Sequence, residues 1–390
     1  MLNKLTILVF LLIVFLVPGY AVTKTWAAEA DTDSLDSKIA EFMETNHIPG
    51  IAAAAFKSGK VVWTGTYGFG SIESETPVTK NTLFQIASIS KPVTATILMS
   101  LYAEGAFGLD DDVNAYLPFD VRNPNFPEMP ITFRQLLRHR SSIADDYDYY
   151  APYWQEANGD PTTILGEYLK SYLAVGGSAY SAEKNFTEAG PDASPYYCNT
   201  CYALLGYLAE TISGEPFEKL SEEVLFTPLN MTDTGWFLRD LEGKDIAMPY
   251  RYATEEGFVP YGHVGYPDWP AGQLRSSIND FARFMAAYTN NGITEDGRNV
   301  IDVDIVDTLS PRSPHQGFHT WFQHGLSNGE VVYAHNGADL GVNTIILMDR
   351  VANKGVVVFA NGEFPIAPIA QDVYLAIDAL IAERTPGAEE

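Results

Sequence analysis

The strand-like segments of this chain lie at its two ends, and its helical segments lie between them. Ile51–Phe56 and Lys60–Gly65, parted by Ser58-Gly59, read as a hairpin. Far along the chain, Glu330–Ala334, Val342–Met348 and Gly355–Ala360 read as further strands with turns between them. Helical spacing fills the middle at Thr132–His139, Thr163–Ala174, Tyr202–Ser213 and Glu218–Leu225. Ser34–Thr45, Val93–Ala103, Phe281–Tyr288 and Pro368–Glu383 add helices near the strands, two of them with a proline in the first turn, where its missing N–H is tolerated. A sheet that needs both chain ends excludes two domains in series. The pattern predicts an α/β (α+β) fold. Residues about 31–100 and 236–390 would build the sheet and its flanking helices, and about 101–235 a mostly helical insertion.

Composition limits the function classes. With 390 residues, 46% of them hydrophobic, the chain buries a large core and is no small disulfide scaffold. Its 24 Lys and Arg against 50 Asp and Glu give a formal charge of -26, which repels phosphate backbones and excludes nucleic acid as a partner. Leu5–Val17 is a nearly unbroken apolar run after a positive start, and Ala28-Glu29-Ala30 is a small-x-small cleavage site. Residues 1–30 are therefore expected to be a signal peptide, making the product secreted or periplasmic with no stable membrane insertion. An uncleaved anchor is the alternative. Leu109-Asp110-Asp111-Asp112 lacks the alternating ligands of a calcium loop and reads as a turn or helix start, so no metal site is expected.

Three short motifs carry chemistry. In Ser88-Ile89-Ser90-Lys91 a serine and a lysine sit one helical turn apart, so a desolvated Lys91 amine can take the Ser88 proton. Ser181-Ala182-Glu183-Lys184 has the same spacing but lacks the strand before it and the long apolar helix after it. In Tyr197-Cys198-Asn199 a phenol can relay a proton, if a nearby cation lowers its pKa, and an amide can bond both a substrate carbonyl and the lysine. Its decoy, Tyr288-Thr289-Asn290, reads as a helix end. His335-Asn336-Gly337 lies on a late strand, with His335 ending the run Val331–Ala334; Gly337 lets a ligand approach the backbone, and the N–H groups of Ala338 and Ser88 would form an oxyanion hole. His263-Val264-Gly265 and His315-Gln316-Gly317 repeat that spacing in loop-like sequence.

The order of the three motifs resembles the serine β-lactamase and penicillin-binding-protein superfamily. More narrowly, it is similar to the class C β-lactamase-related branch that holds D-alanyl-D-alanine carboxypeptidases, D-aminopeptidases and esterases. Ile48-Pro49-Gly50, Phe84–Lys91, Leu109-Asp110-Asp111, Tyr202–Gly206, Pro270-Ala271-Gly272 and the 335–362 strands all fit that branch. The resemblance implies an antiparallel sheet flanked by helices and an acyl-transfer reaction. Ser88 would attack, Lys91 and Tyr197 would manage the proton, and Asn199 would orient the substrate amide. His335, in place of the lysine of true class C β-lactamases, would keep Tyr197 placed and polarised. No metal or organic cofactor is implied.

Two departures stand out. Where relatives have His-Thr-Ser-Gly, this chain has His139-Arg140-Ser141-Ser142, followed by an acidic, aromatic loop. Asp145, Asp148, Tyr149 and Trp154 there have two readings: a packed surface loop, or a lip that holds an apolar group and an ammonium over the cleft. Cys198 and Cys201 straddle the Tyr-x-Asn motif and are either bonded in an exported protein or free. The leading expectation is a peptidase or amidase on D-amino-acid peptides, with a small-molecule or peptide substrate as partner. An esterase, a β-lactamase and, in another class, an inactive penicillin-binding or sensor protein are the rivals. Nothing in the sequence sets an oligomeric state.

Overall fold

The computed structural model describes residues 32–154, 159–312 and 320–383. The expected signal segment, the decoy at 315–317 and the side chain of Trp154 lie outside the described part. The chain opens with helix α1 (Thr32–Thr45) and the hairpin β1 (Gly50–Lys57) and β2 (Lys60–Ser71), with β3 (Thr76–Pro77) on its outer edge. The same sheet is completed from the far end by β4 (Phe322–Gly325), β5 (Val331–Asp339), β6 (Val342–Asp349) and β7 (Lys354–Ala360). The strand order is β3-β2-β1-β7-β6-β5-β4, antiparallel throughout. The two chain ends meet at β1 and β7, where Ile51 pairs with Ala360 and Lys57 with Lys354.

The β1 sequence shows why this sheet is covered on both faces. Successive side chains of a strand point to opposite sides. Ile51, Ala53 and Ala55 face a core formed with Leu35 and Ile39 of α1 and Val373 and Ile377 of α5 (Ala367–Glu383). Ala52, Ala54 and Phe56 face a second core that includes α2 (Ser90–Ala103) and α4 (Ile278–Thr289). Four alanines in a row let helices approach either side closely.

The helical middle packs into that second core, so sheet and insertion share one apolar interior. Its helices run Phe133–Leu137, Leu165–Leu173, Asn199–Ser213 (α3) and Phe217–Ser221. Thr132 starts the first with a capping box to Gln135. Asp112 caps the turn Val113–Ala115, in keeping with the turn reading of the aspartate run. Among the described residues no helix is long and apolar enough to cross a membrane.

Two local boundaries differ from the sequence expectation. The strand that carries His335 does not end there: β5 continues to Asp339, with His335 opposite Ile346 and Gly337 opposite Thr344. The run Asn336-Gly337-Ala338-Asp339, with no large apolar side chain, hid this, because ladder bonds come from the backbone and not from apolar side chains. Helix α3 begins at Asn199 and not at Tyr202, because Cys198 and Asp145 supply its missing N-terminal acceptors.

Candidate active site

Ser88 lies on a tight turn, Ala87–Ile89, between the short strand Leu83–Gln85 and α2. Ala87 is held at φ +49°, a left-handed conformation that disfavours an alanine by about 1–2 kcal/mol. The surroundings over-determine it. Ser90 Oγ donates to Ala87 O (2.7 Å), Ile86 N donates to Leu274 O (2.9 Å), and Thr344 Oγ1 on β6 donates to Ile86 O (2.8 Å). The result is a half-buried Ser88 at the floor of a cleft of about 90 Å³.

One turn on, Lys91 is fully buried. Its Nζ lies 3.0 Å from Ser88 Oγ, 2.8 Å from Asn199 Oδ1 and 2.8 Å from the Ala271 carbonyl. Burial pushes its pKa well below the ordinary lysine value; the fields of Asp268, Asp145 and Asp339 oppose the shift without cancelling it. A neutral amine has two hydrogens and one lone pair. Asn199 and Ala271 accept the two hydrogens, which leaves the lone pair for the Ser88 hydroxyl.

Tyr197 is hydrogen-bonded to Ser88, and Lys91 Nζ sits 4.8 Å from its ring centre. Part of the side chain meets solvent, yet its phenol is deep enough for burial to raise the pKa. The Ser88 hydrogen bond only moderates this rise. The expectation of a cation-lowered phenol is therefore corrected: Tyr197 is held as the neutral phenol.

His335 is also placed differently from expectation. Its Nδ1 faces the Asn336 carbonyl (2.9 Å), and its buried Nε2 has no hydrogen-bond partner, so it does not hold Tyr197 by a hydrogen bond. Burial, with the Lys91 charge adding, pushes its pKa down to about 3 and keeps it neutral. The ring against Tyr197 is instead His139, stacked at 4.5 Å, whose Nδ1 accepts from Cys198 N–H (3.1 Å). His139 belongs to the loop that departs from the His-Thr-Ser-Gly pattern. Ser142, where relatives have glycine, keeps a left-handed φ of +68° and accepts from Asn123 Nδ2 (3.1 Å).

Gly337 and Ala338 bring β5 against the nucleophile turn. A Cβ built on Gly337 would stand 2.9 Å from Ser88 N, and Ala338 lines the cleft beside Ser88. The three described residues of the proposed lip, Asp145, Asp148 and Tyr149, go separate ways. Asp145 is buried, accepting from Asn199 N–H (2.6 Å), Thr200 N–H (2.9 Å) and Thr200 Oγ1 (2.7 Å). It is a cap on α3 from 55 residues away, not a lip, because the positive end of a buried helix needs an acceptor. Asp148 is exposed and pairs with Lys184 (3.0 Å). Tyr149 packs among Tyr150, Tyr168 and Tyr172. The residues of this loop that line the cleft are Tyr147 and Tyr150, and the opposite wall adds Tyr266, Asp268 and Asp339, none of which the motifs marked.

Cys198 and Cys201 are joined in a disulfide with their Cα atoms 5.3 Å apart. The bond closes the first turn of α3, between Tyr197 and Asn199 on one side and the buried helix on the other. Closing so short a loop restricts the unfolded chain by about 2 kcal/mol. Reduction, or Cys198→Ser with Cys201→Ser, is expected to lower the thermal midpoint by a few degrees; an unchanged midpoint in calorimetry would show that the bond adds no stability.

The Beta-lactamase family profile matches residues 35–381. Protein flp of Staphylococcus aureus (strain MRSA252) is 24% identical over 336 residues, covering 84% of this chain and 62% of that protein. The chain thus spans about three-fifths of the length of that relative. The octameric penicillin-binding protein homologue from Pyrococcus abyssi superposes with a TM-score of 0.69 at 26% identity, over 89% of this chain and 77% of that one. The D-stereospecific amidohydrolase from Streptomyces sp. gives a TM-score of 0.68 at 21% identity, over 87% and 98%. At that identity the second likeness is one of fold.

Proposed function

The chain belongs to the beta-lactamase family, and on that premise we propose that it is a serine hydrolase acting through an acyl-enzyme, an amidase or peptidase on D-amino-acid peptides. The observation that carries this reading is the Lys91 amine, in contact with Ser88 Oγ while Asn199 and Ala271 take its other hydrogens.

The steps follow from the geometry. Ser88 Oγ attacks the substrate carbonyl carbon as its proton passes to Lys91 Nζ. The carbonyl electron pair moves to oxygen, where the N–H groups of Ser88 and Ala338 receive it. Collapse restores the carbonyl and breaks the C–N bond. The leaving nitrogen takes its proton from the neutral Tyr197 phenol, which regains one from Lys91. Water then attacks the ester and gives a proton to Lys91. The C–Oγ bond breaks, the acid departs, and Oγ recovers the proton.

Two experiments test this. A fluorophosphonate is expected to label the protein on Ser88, with D-alanine p-nitroanilide hydrolysed in preference to its L-enantiomer. Labelling that survives Ser88→Ala would remove the assignment. A fluorescent penicillin in parallel separates a lasting adduct from the fast turnover of a lactamase. The second experiment is a pH profile. As pH rises through the lowered Lys91 pKa the amine sheds its proton and becomes the base, so kcat/KM climbs on a limb well below the roughly 10.4 of free lysine. A limb at the ordinary lysine position would count against Lys91 as the base.

The export reading belongs to the same proposal. Sequencing the N-terminus of the released protein would test it, with a mature chain starting near residue 31 expected.

A further inference from the structure

The cleft in front of Ser88 has an unusual wall. Tyr147, Tyr150 and Tyr266 line it together with Asp268 and Asp339, and no lysine, arginine or histidine is among its described lining residues. Asp339 is held in place by Tyr266 Oη (2.7 Å), Gln85 Nε2 (3.2 Å) and Leu340 N–H (2.8 Å). Asp268 is different. It is only 7% exposed, its carboxylate accepts from its own backbone N–H, and among the described residues it forms no ion pair, although the Lys91 amine favours its charged form. Lys91 acts on it as a field and not as a contact, since that amine is committed to Ser88, Asn199 and Ala271.

A carboxylate so far out of water is costly: burial pushes the Asp268 pKa up to about 7, and a positive group reaching it would favour the charged form. Here it lines the space a substrate would enter, together with Tyr147, Tyr150 and Tyr266. A substrate carboxylate would meet two acids, each with its pKa raised by burial, Asp268 to about 7, and no Lys, Arg or His among the described lining residues. A substrate ammonium would meet Asp268 unpaired and Asp339 already oriented.

We propose that this cleft binds a primary ammonium group of the substrate on Asp268 and Asp339, so that the enzyme takes D-amino-acid amides and peptides by a free amino group and not by a terminal carboxylate. This rests on the serine hydrolase reading of the same site and narrows it from carboxypeptidase to aminopeptidase or amidase. The ammonium comes either from the α-position or from a basic side chain, and the test separates the two.

The test compares kcat/KM for D-alanine p-nitroanilide, N-acetyl-D-alanine p-nitroanilide and N-acetyl-D-lysine p-nitroanilide in wild type and Asp268→Asn. The ratio between substrates is the readout, because any effect of the substitution on Lys91 is common to all three. The free α-amine is expected to be preferred over its acetylated form by roughly 10- to 100-fold, and Asp268→Asn is expected to erase most of that preference. If acetyl-D-lysine is preferred instead and Asp268→Asn erases that, the ammonium is a side chain and the proposal stands. Asp148→Asn, whose carboxylate pairs with Lys184, is expected to leave the ratios as they are. Where turnover is too slow to follow, the corresponding amides are compared for protection of Ser88 against the fluorophosphonate. No preference for a free amine, or a preference that Asp268→Asn leaves intact, overturns the proposal while the hydrolase reading survives. No Ser88-dependent labelling or hydrolysis overturns both.

Discussion

Replacing Ser88 by alanine is expected to lower kcat on D-alanine p-nitroanilide by about 10⁴-fold or more, and Lys91→Met by a comparable factor. The reason lies in their contact. Ser88 Oγ is a weak nucleophile until its proton has somewhere to go, and the amine 3.0 Å away is the acceptor that burial has prepared. Removing either partner disables the same step. The double variant is therefore expected to be no slower than the slower single one, as for residues that act as a unit. Steady-state rates of the three variants decide the matter. If the two losses multiply, serine and lysine act in separate steps and the proposed proton transfer is wrong.

The second large effect is expected at Gly337. A Cβ there would lie 2.7 Å from Ile86 O and 2.9 Å from Ser88 N, and would also press on Thr344 Oγ1. None of these neighbours has slack, because Thr344 Oγ1 is itself bonded to Ile86 O (2.8 Å) behind the nucleophile turn. Gly337→Ala must push β5 away from Ser88 and spoil the alignment of the two N–H groups. A fall in kcat/KM of about 10²–10³ is expected, the scale of losing one oxyanion donor. Overpacking is expected to reduce stability by about 1–3 kcal/mol. Gly325→Ala on neighbouring β4 is the control, because nothing lies within 4 Å of its added Cβ. Equal rates for the two variants would show that Gly337 is not packed against the nucleophile as described.

The motifs were legible because helices and strands turn sequence spacing into distance. Ser88 and Lys91 meet because α2 begins between them, and the apolar run behind them is a helix buried on nearly all sides. The ends of the sheet were legible for the same reason. What failed were statements about residues whose partners are remote in sequence. Asp145 reads as one acid in an acidic loop, and only the arrival of α3 makes it a cap. His335 reads as a partner of Tyr197, and the fold puts His139 there. The sequence carried one hint of that, the His139 loop quoted for its missing glycine. Asp268 carried a weaker one, two residues before Pro270-Ala271-Gly272, whose Ala271 carbonyl binds Lys91.

The sequence by itself determined the architecture, the family and the residues on short-range motifs. Backbone periodicity and hydrogen-bond geometry are local properties, and the chain states them locally. Only the tertiary structure decided the protonation states and the character of the cleft. Burial sets both, and burial depends on what packs over a residue from elsewhere in the chain. That is why Lys91 is drawn toward the neutral amine, why Tyr197 keeps its proton, and why the acids that line the substrate space are Asp268 and Asp339 and not Asp145 or Asp148.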